Sequence, residues 1–366
     1  MTLLGLLLFG LSVSSASGAV AVVGYLPEWR YHAVHWPTLA RGYTHLILFS
    51  AEPTAVGGIT GLDRLPAADL LAEARAATRA TGAKLMVCFG GNGRSGGFKA
   101  MTRNAKARRA FITAAVKLVA DMQLDGIDLN WEYPGFEFGK GYASDSELSR
   151  DWSGLAALSH GLRAKLPSRA VLSAAYYPDG KQERMIVQHN LTRSVALFHA
   201  MSYDANGAAG HSPMSLAQTA LGNARAAGLP LALVTIGLPF YGRALDGAGA
   251  GDWTTYEDIV QRHHPLPPGQ DVVTAREGGA RIAFNGRDTI AAKTRLALDS
   301  GLGGVMVWEA GQDCRLVEVV RGKDKHVVTC PSGRESSLLA AIQDVLAERA
   351  VGGGGGDAAA KEEEEL

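Results

Sequence analysis

Cysteine, net charge and long apolar runs are all scarce in this sequence of 366 residues. Three cysteines are too few for the disulfide framework that holds small secreted domains together. Lys and Arg together number 36, as do Asp and Glu, so the zero net charge favours neither a nucleic-acid partner nor an anionic membrane. After residue 18 no apolar run is long enough to cross a bilayer.

The sequence also lacks the usual signatures of metal and phosphate chemistry. His45 and His199 stand alone in apolar runs, whereas a metal site needs several ligands. The stretch GGNGRSGG (residues 90–97) is rich in glycine but has no Lys-Ser or Lys-Thr pair of a P-loop. We interpret it as a flexible loop beside a binding groove, and we expect no metal and no cofactor.

Two terminal segments differ from the rest of the chain. Residues 1–18, MTLLGLLLFGLSVSSASG, contain an apolar stretch of about ten residues followed by small residues, which predicts a secretory signal peptide. A first strand extended backwards is the alternative. Residues 351–366, VGGGGGDAAAKEEEEL, predict a disordered Gly-rich linker with an acidic tip. One domain is predicted between them, from residue 19 to residue 350.

A signal peptide would direct the protein to the secretory pathway, and we favour the extracellular space over the lumen of the ER, vacuole or lysosome. Cys314 and Cys330 flank a loop-like stretch and could pair in such a compartment, the alternative being two free thiols. Cys88 lies in the apolar run KLMVCFGG and is predicted to be a buried thiol. The sequence NLT at Asn190 is a glycosylation sequon.

Short apolar runs alternate with amphipathic segments, which predicts a parallel sheet with crossover helices. The runs begin at residues 19, 45, 84, 126, 171, 197, 231 and 303. This spacing predicts a (β/α)8 TIM barrel. An open doubly wound sheet is the alternative, but no Gly-rich phosphate fingerprint follows the first run. The long gap between the last two runs predicts a short insertion after strand seven.

The run LDGIDLNWEYPG (residues 124–135) carries the most informative pattern. Asp128, Asn130 and Glu132 are two residues apart, so on a strand they share one face. Polar side chains in a buried strand are costly unless they are hydrogen-bonded or take part in chemistry. Because the active sites of such barrels lie at the C-terminal ends of the strands, we expect these residues there. Asp125, near the start of the strand, is expected to be structural.

Further aromatic and polar residues end the predicted strands, a composition typical of surfaces that bind sugar rings. The residues expected to bind substrate are Tyr25, Phe49, Trp131, Tyr133, Met201, Asp204, Tyr241, Arg243 and Trp308, and Tyr203 lies among them at the end of strand six. Packing inside the barrel explains Phe49 equally well. For Trp308, which precedes the polar stretch EAGQD, binding is favoured.

These motifs resemble those of glycoside hydrolase family 18, the chitinase family. DGIDLNWEYP is similar to its DGxDxDxE signature, with Glu132 in the acid position and Asn130 where Asp is usual. KLMVCFGG resembles its KxxxSxGG strand, with Cys88 where Ser is usual. MSYD, LPFYGR and GGVMVWE resemble the ends of its strands six, seven and eight. The resemblance extends from about residue 21 to residue 313.

The resemblance implies a retaining glycosidase in which the acetamide oxygen of the substrate attacks the anomeric carbon. Glu132 would be the acid. Asn130 would accept the acetamide N–H, and Tyr203 would donate to its carbonyl oxygen. Asp128 would support residue 130 from inside the barrel.

The resemblance also implies the ligand. Asp204 would hold the distorted sugar and Trp308 would form the floor beneath it. The expected partner is chitin or an oligosaccharide that contains N-acetylglucosamine. We expect a monomer that has no nucleic-acid partner and no membrane contact after signal cleavage.

Asn130 is the departure from the family pattern with the clearest chemical consequence. Its oxygen can accept an N–H, but the amide cannot offer negative charge to the oxazolinium or share a proton with Glu132. A charge at about 4 Å, in an effective dielectric of about 20, is worth roughly 4 kcal/mol, or about three decades of rate. We therefore expect a slow enzyme with an optimum shifted to acid pH. The alternatives are a lectin-like barrel that binds chitin with little or no turnover, and an endo-β-N-acetylglucosaminidase acting on N-glycans.

Overall fold

Eight parallel strands close into a barrel in the computed structural model, which describes residues 20–205, 210–246, 252–275 and 279–353. The strands are β1 Ala21–Pro27, β2 His45–Pro53, β3 Lys84–Gly90, β4 Gly126–Asn130, β5 Val171–Tyr176, β6 Leu197–Ala200, β7 Val234–Pro239 and β8 Gly304–Trp308. Each strand pairs in parallel with the next, and β8 pairs with β1. The predicted (β/α)8 barrel is confirmed.

Helices connect the strands and cover the outside of the barrel. They are α1 Trp36–Gly42, α2 Ala68–Thr81, α3 Phe98–Arg103, α4 Ala105–Asp121, α5 Asp145–Lys165, α6 Lys181–Gln188, α7 Met214–Ala227, α8 Tyr256–His263, α9 Arg287–Asp299 and α10 Leu338–Gly353. Short 3-10 helices lie at Glu28–Arg30, Leu62–Arg64, Leu191–Arg193, Leu231–Leu233 and Gly333–Ser336.

Helix α4 shows how the sequence sets these elements. The side chain of Asn104 accepts hydrogen bonds from two backbone N–H groups of the first turn and so caps the helix. Ala107, Phe111, Ala115 and Val119 recur every four residues and are buried. This spacing places one apolar face against the barrel.

Alternate side chains along each strand belong to two different cores, one inside the barrel and one beneath the helices. Side chains such as Val23, Ile47 and Met86 point inward and fill the barrel together with the aromatic residues of the site. Their neighbours in sequence, such as Leu46 and Val87, point outward and pack beneath the helices. A residue therefore joins the barrel interior or the outer layer according to its position in the period-two pattern.

The insertion after strand seven is larger in structure than its sequence indicated. An antiparallel sheet of four strands and helix α8 lie between β7 and α9. The strands are Trp253–Thr255, Tyr241–Ala244, Arg281–Ala283 and Val272–Thr274, in sheet order. Strands of three or four residues carry too little alternation to be recognised in sequence.

Three short antiparallel pairings, each of two or three residues, lie in the loops. Ile59–Thr60 pairs with the end of β2, Phe136–Glu137 pairs with Gly141–Tyr142, and Val319–Arg321 pairs with Asp324–His326. The last hairpin lies within a loop that a disulfide between Cys314 and Cys330 closes.

The disulfide loop is fastened to the insertion. Arg315 forms an ion pair with Glu257 of α8 at 2.6 Å. Thr329 Oγ1 donates a hydrogen bond to the same carboxylate. The loop after β8 and the insertion after β7 therefore share one acid, whose side chain is 12% exposed.

Several predictions concern segments at the edge of the described chain. The predicted signal peptide and residues 354–366 of the predicted tail lie outside the described residues. Residues 351–353, predicted as part of the tail, continue α10 instead. Cys88 is a buried free thiol and Asn190 is exposed, while its glycosylation stays a prediction. None of the helices in the described ranges is long and apolar enough to span a bilayer.

Gly304 allows the barrel to close, and its substitution tests this role. Its φ is +147°, and a Cβ there would lie 1.9 Å from the carbonyl oxygen of Ala21 in β1. We expect Gly304→Ala to lower the free energy of unfolding by about 3 kcal/mol or more, measured by urea denaturation.

The control is Gly222→Ala on the exposed face of α7, where no atom lies within 4 Å of the added Cβ. This change should stabilise the protein by about 0.5–1 kcal/mol, since alanine favours the helix. An unchanged midpoint for Gly304→Ala would show that the seam between β1 and β8 adapts to a side chain.

Candidate active site

Asp128 occupies the interior of the barrel and is fully buried. Tyr25 Oη donates to its Oδ2 at 2.9 Å, and Ser173 Oγ donates to its Oδ1 at 2.7 Å. Burial raises the pKa of Asp128 to about 6, while hydrogen bonds from Ser173, Tyr25 and the Cys88 thiol limit the rise. His199 Nε2 lies 3.8 Å away, and burial lowers the pKa of this imidazole to about 3, so it is neutral.

Glu132 follows the end of β4 on the same face and is partly exposed to the groove. Burial raises its pKa to about 7, and the negative charge of Asp204 contributes to the rise. Hydrogen bonds from the Asn92 backbone and the Asn130 side chain act in the opposite direction. The backbone N–H of Glu132 donates to Ser95 Oγ at 3.0 Å.

The raised pKa of Glu132 bears on one expectation from the sequence, which stays a prediction. An acid-shifted optimum was predicted because Asn130 brings no negative charge to Glu132. Burial and Asp204 raise the pKa to about 7 without any charge at position 130. Glu132 is therefore protonated in mildly acidic solution and can act as an acid.

Asn130 carries an unused acceptor. Its side chain is 3% exposed, and within the described residues Oδ1 has no hydrogen-bond partner. A buried amide oxygen without a partner costs free energy. An N–H group of a bound ligand would remove this cost, so the site is suited to a ligand that carries an amide.

The loop after β6 supplies an ionised acid opposite Glu132. Asp204 has a left-handed backbone with φ of +57°, and its Oδ1 accepts from Tyr241 Oη at 2.8 Å and from Arg243 at 3.1 Å. Burial alone would raise the pKa of Asp204, but hydrogen bonds from His211 and Tyr241 and the charge of Arg243 lower it. The two acids therefore differ in protonation, as acid catalysis beside a carboxylate requires.

Tyr203 and Met201 line the barrel below Asp204. Each is 6% exposed, and Tyr203 Oη contacts Met306 Sδ at 3.8 Å. Sulfur is a weak acceptor, so the hydroxyl can exchange this contact for a stronger one with a ligand.

Trp308 ends β8 and is partly exposed to the groove. Its ring centroid lies 4.7 Å from that of Phe49 and 5.7 Å from that of Tyr25. Both of these partners are buried, at 4% and 1% exposure. Trp308 is thus the accessible ring, whereas Phe49 and Tyr25 support it from inside the barrel. Tyr25 was predicted to contact substrate, but its hydroxyl is already committed to Asp128.

Trp131 does not face the groove, contrary to prediction. It lies between Asn130 and Glu132 in the period-two pattern and therefore points to the outer layer. Its ring stacks on Phe98 of α3 with centroids 5.3 Å apart and is 6% exposed. It belongs to the core between barrel and helices.

Tyr133 is half-buried at the rim. Its ring lies 5.9 Å from Phe136, 5.8 Å from Phe138 and 6.1 Å from Tyr177. Phe138 is 59% exposed, so this cluster forms an aromatic edge of the groove.

A family model described as Glycosyl hydrolases family 18 matches residues 21–313. The chain belongs to this family. Chitinase A1 of Niallia circulans is 25% identical over 286 residues, which cover 63% of this chain and 40% of that protein. Chitinase 63 of Streptomyces plicatus is 27% identical over 282 residues, which cover 66% of this chain and 45% of that protein. The chain thus spans less than half the length of these two curated relatives.

Solved structures agree on the fold. The catalytic domain 2 of the Group II chitinase of Ostrinia furnacalis, in complex with penta-N-acetylchitooctaose, aligns with a TM-score of 0.70 at 21% identity. The alignment covers 90% of this chain and 97% of that one. A chitinase from Bacteroides thetaiotaomicron aligns with a TM-score of 0.68 at 19% identity, over 88% and 95% of the chains.

Trp253 was not among the residues predicted to line the site of this family 18 barrel. Trp253 of the insertion is 49% exposed and stacks on the buried Tyr241 at 4.2 Å. Arg243 lies over the same indole at 5.2 Å. The indole therefore extends the groove beyond Asp204, with support from two residues that were predicted to bind substrate.

The loop GGNGRSGG is anchored, whereas a flexible loop was predicted. Arg94 pairs with Glu28 at 2.6 Å and lies 5.3 Å from the ring of Phe49. Ser95 Oγ donates to Gly91 O at 3.0 Å and accepts from the Glu132 backbone. Charged and hydroxyl residues within a Gly-rich stretch are the signal that could have indicated this role.

The Asp204 charge predicts a measurable effect on Glu132. Asp204→Asn should lower the pKa of Glu132 from about 7, because a neighbouring negative charge disfavours ionisation of Glu132. Burial persists, so the pKa should stay above the ordinary value of 4.5. A carbon-13 NMR titration of the carboxyl, assigned by its loss in Glu132→Gln, measures both values. Glu137→Gln, an exposed acid nearby, is the control and should leave the titration unchanged; an equal effect of both variants would contradict the assignment.

Proposed function

We propose that this protein is a chitinase-type glycosidase that cleaves β-1,4 bonds of chitin or N-acetylglucosamine oligosaccharides with retention of configuration. The observation that carries the proposal is the position of Glu132, whose pKa burial raises to about 7, on the same strand face as the unpartnered oxygen of Asn130. An acid beside an unused amide acceptor suits a substrate with an acetamide next to its scissile bond. The chitinase relatives support the same substrate class.

The proposed first step uses the acetamide of the substrate as nucleophile. Glu132 donates its proton to the glycosidic oxygen, the bond to the anomeric carbon breaks, and the acetamide oxygen bonds to that carbon. Asn130 Oδ1 accepts the acetamide N–H and turns the carbonyl towards the carbon. Tyr203 Oη donates to the acetamide oxygen, and Trp308 supports the sugar ring.

Water completes the reaction. The Glu132 carboxylate accepts a proton from a water molecule, which attacks the anomeric carbon and breaks its bond to the acetamide oxygen. Attack from the face opposite to the acetamide restores the original configuration. Asp204 stays ionised and places one negative charge near the developing cation.

Asn130 slows this reaction by removing a charge. A carboxylate at this position would stabilise the oxazolinium by roughly 4 kcal/mol at about 4 Å, which corresponds to about three decades of rate. The amide retains the positioning hydrogen bond. We therefore propose a slow hydrolase, with a chitin-binding barrel or an N-glycan endoglycosidase as the outcomes that the experiments below would reveal.

The remaining expectations from sequence belong to the same proposal. We propose a monomer that acts in the secretory pathway, with the extracellular space favoured. It would bind chitin or an N-acetylglucosamine oligosaccharide, without cofactor, nucleic acid or membrane.

Turnover of chitooligosaccharides by three variants tests the proposal. We expect measurable cleavage by the native chain between pH 4 and 8, no cleavage by Glu132→Gln, and faster cleavage by Asn130→Asp by about two to three orders of magnitude. Asn190→Asp, an exposed site, is the control for the change of amide to acid. Tight binding without cleavage by the native chain would identify a lectin-like protein, whereas cleavage only of N-glycans would identify the endoglycosidase.

The role of the acetamide predicts a strict substrate requirement. Oligosaccharides of glucosamine lack the acetamide oxygen that attacks the anomeric carbon, so they should not be cleaved at any pH. Partially acetylated chains should be cut only after an acetylated sugar, as mass spectrometry of the products would show. Equal cleavage of acetylated and deacetylated chains would exclude the substrate-assisted reaction.

A further inference from the structure

Lys293 of α9 is completely buried, and the mechanism above gives it no role. Its Nζ lies 2.6 Å from Ser212 O, 2.7 Å from Ser212 Oγ and 2.7 Å from Asn285 Oδ1. Lysine is almost never fully buried unless it is paired with an opposite charge. Here three uncharged oxygen atoms hold it.

The surrounding hydrogen bonds determine the protonation of Lys293. Ser212 Oγ donates its only proton to Ser202 O at 2.7 Å. The amide N–H groups of Asn285 go to Ser212 O at 2.9 Å and to Phe284 O at 3.1 Å. Ser212 Oγ and Asn285 Oδ1 are therefore acceptors, and Nζ needs three protons to reach all its partners. A neutral amine would point its lone pair at an oxygen.

Ser212 belongs to the loop that carries the ionised acid of the site. The preceding residue, His211, has Nδ1 3.5 Å from Asp204 Oδ1, and its ring lies 4.8 Å from that of Tyr241. Its carbonyl oxygen accepts from Ala205 N at 2.9 Å. The position of Ser212 therefore determines where His211, and with it Asp204, can lie.

We propose that Lys293 is a positioning residue of the active site: its buried ammonium ties Ser212 to α9 and thereby holds Asp204 beside Glu132. The inference rests on the function proposed above, in which Glu132 is the acid and Asp204 the neighbouring carboxylate. Lys293 touches neither substrate nor reacting atoms. It acts through Ser212 and His211.

The contact between Lys293 and Ser212 is sensitive to pH because Lys293 is buried with few charges around it. Burial lowers the pKa of Lys293 to about 7, and the field of Asp271 opposes the fall. Strands β7 and β8, which pack on α9, carry no charged residue, and α7 carries only Arg225 in its exposed last turn. The other charged pairs of α9 with α10 lie at the surface: Arg287 with Asp344, Arg295 with Glu348 and Asp299 with Arg349.

The consequence for Glu132 has a definite sign. The Asp204 charge contributes to the raised pKa of Glu132, so a displaced Asp204 lowers that pKa. As the pH rises through about 7, Lys293 loses its third proton and one hydrogen bond to the Asp204 loop. The lower pKa of Glu132 and the deprotonation of Lys293 both reduce the fraction of active enzyme at alkaline pH.

The test compares Lys293→Met with Thr294→Val. Thr294 is also fully buried in α9, but its hydroxyl bonds Ile290 O within the same helix. We expect Lys293→Met to lower kcat about 10- to 100-fold, because a small displacement of a site residue has effects of this size. The alkaline limb of the pH–rate profile of Lys293→Met should move to lower pH. Folded Thr294→Val should keep the native pH–rate profile.

A second measurement needs no turnover. The carbon-13 titration of Glu132 should show a lower pKa in Lys293→Met than in the native protein and in Thr294→Val. If Lys293→Met does not fold, Ser212→Ala removes one acceptor of the ammonium and should shift the titration in the same direction.

The outcomes separate the two proposals. Lack of turnover by the native chain would overturn the proposed function, whereas the titration would still report on Lys293. A native kcat, pH profile and Glu132 titration in folded Lys293→Met would show that Lys293 contributes only to stability, and this would overturn the inference.

Discussion

The active site depends on the cost of placing a carboxyl group inside an apolar barrel. Hydrogen bonds from hydroxyl groups of β1 and β5 and from a thiol of β3 offset that cost for Asp128. Strands that are distant in sequence are thereby held by one side chain. Tyr25 and Ser173 are committed to this carboxyl, and the proposed ligand contacts therefore come from Asn130, Tyr203, Asp204 and Trp308.

The positions of Glu132 and Asp204 explain why their protonation states differ. Glu132 lies at the rim, where burial and the negative charge of Asp204 raise its pKa to about 7. Asp204 receives three polar partners and stays ionised. The pKa of Glu132 is raised although residue 130 is an uncharged amide whose hydrogen bond opposes the rise, so the groove holds both an acid and a carboxylate.

Sequence reasoning reached the barrel and the strand-four residues because both rest on local periodicity. It failed at one residue whose local pattern was misread, and at others whose surroundings depend on long-range packing. Trp131 was predicted to bind although its place between Asn130 and Glu132 already put it on the opposite face. The pKa of Glu132 depends on Asp204, and the support from Ser95 depends on a neighbouring strand. No local pattern indicates that a residue of α9, Lys293, lies against the loop after β6.

The link between the disulfide loop and the insertion has a consequence for how the groove would bind the proposed substrate. Glu257 receives Arg315 and Thr329 from across the β7–β8 side of the mouth. The insertion and the disulfide loop are therefore joined through one side chain. If the proposed function holds, a cleft that is ordered before the substrate binds loses little conformational entropy, and more of the contact energy is available for distorting the sugar.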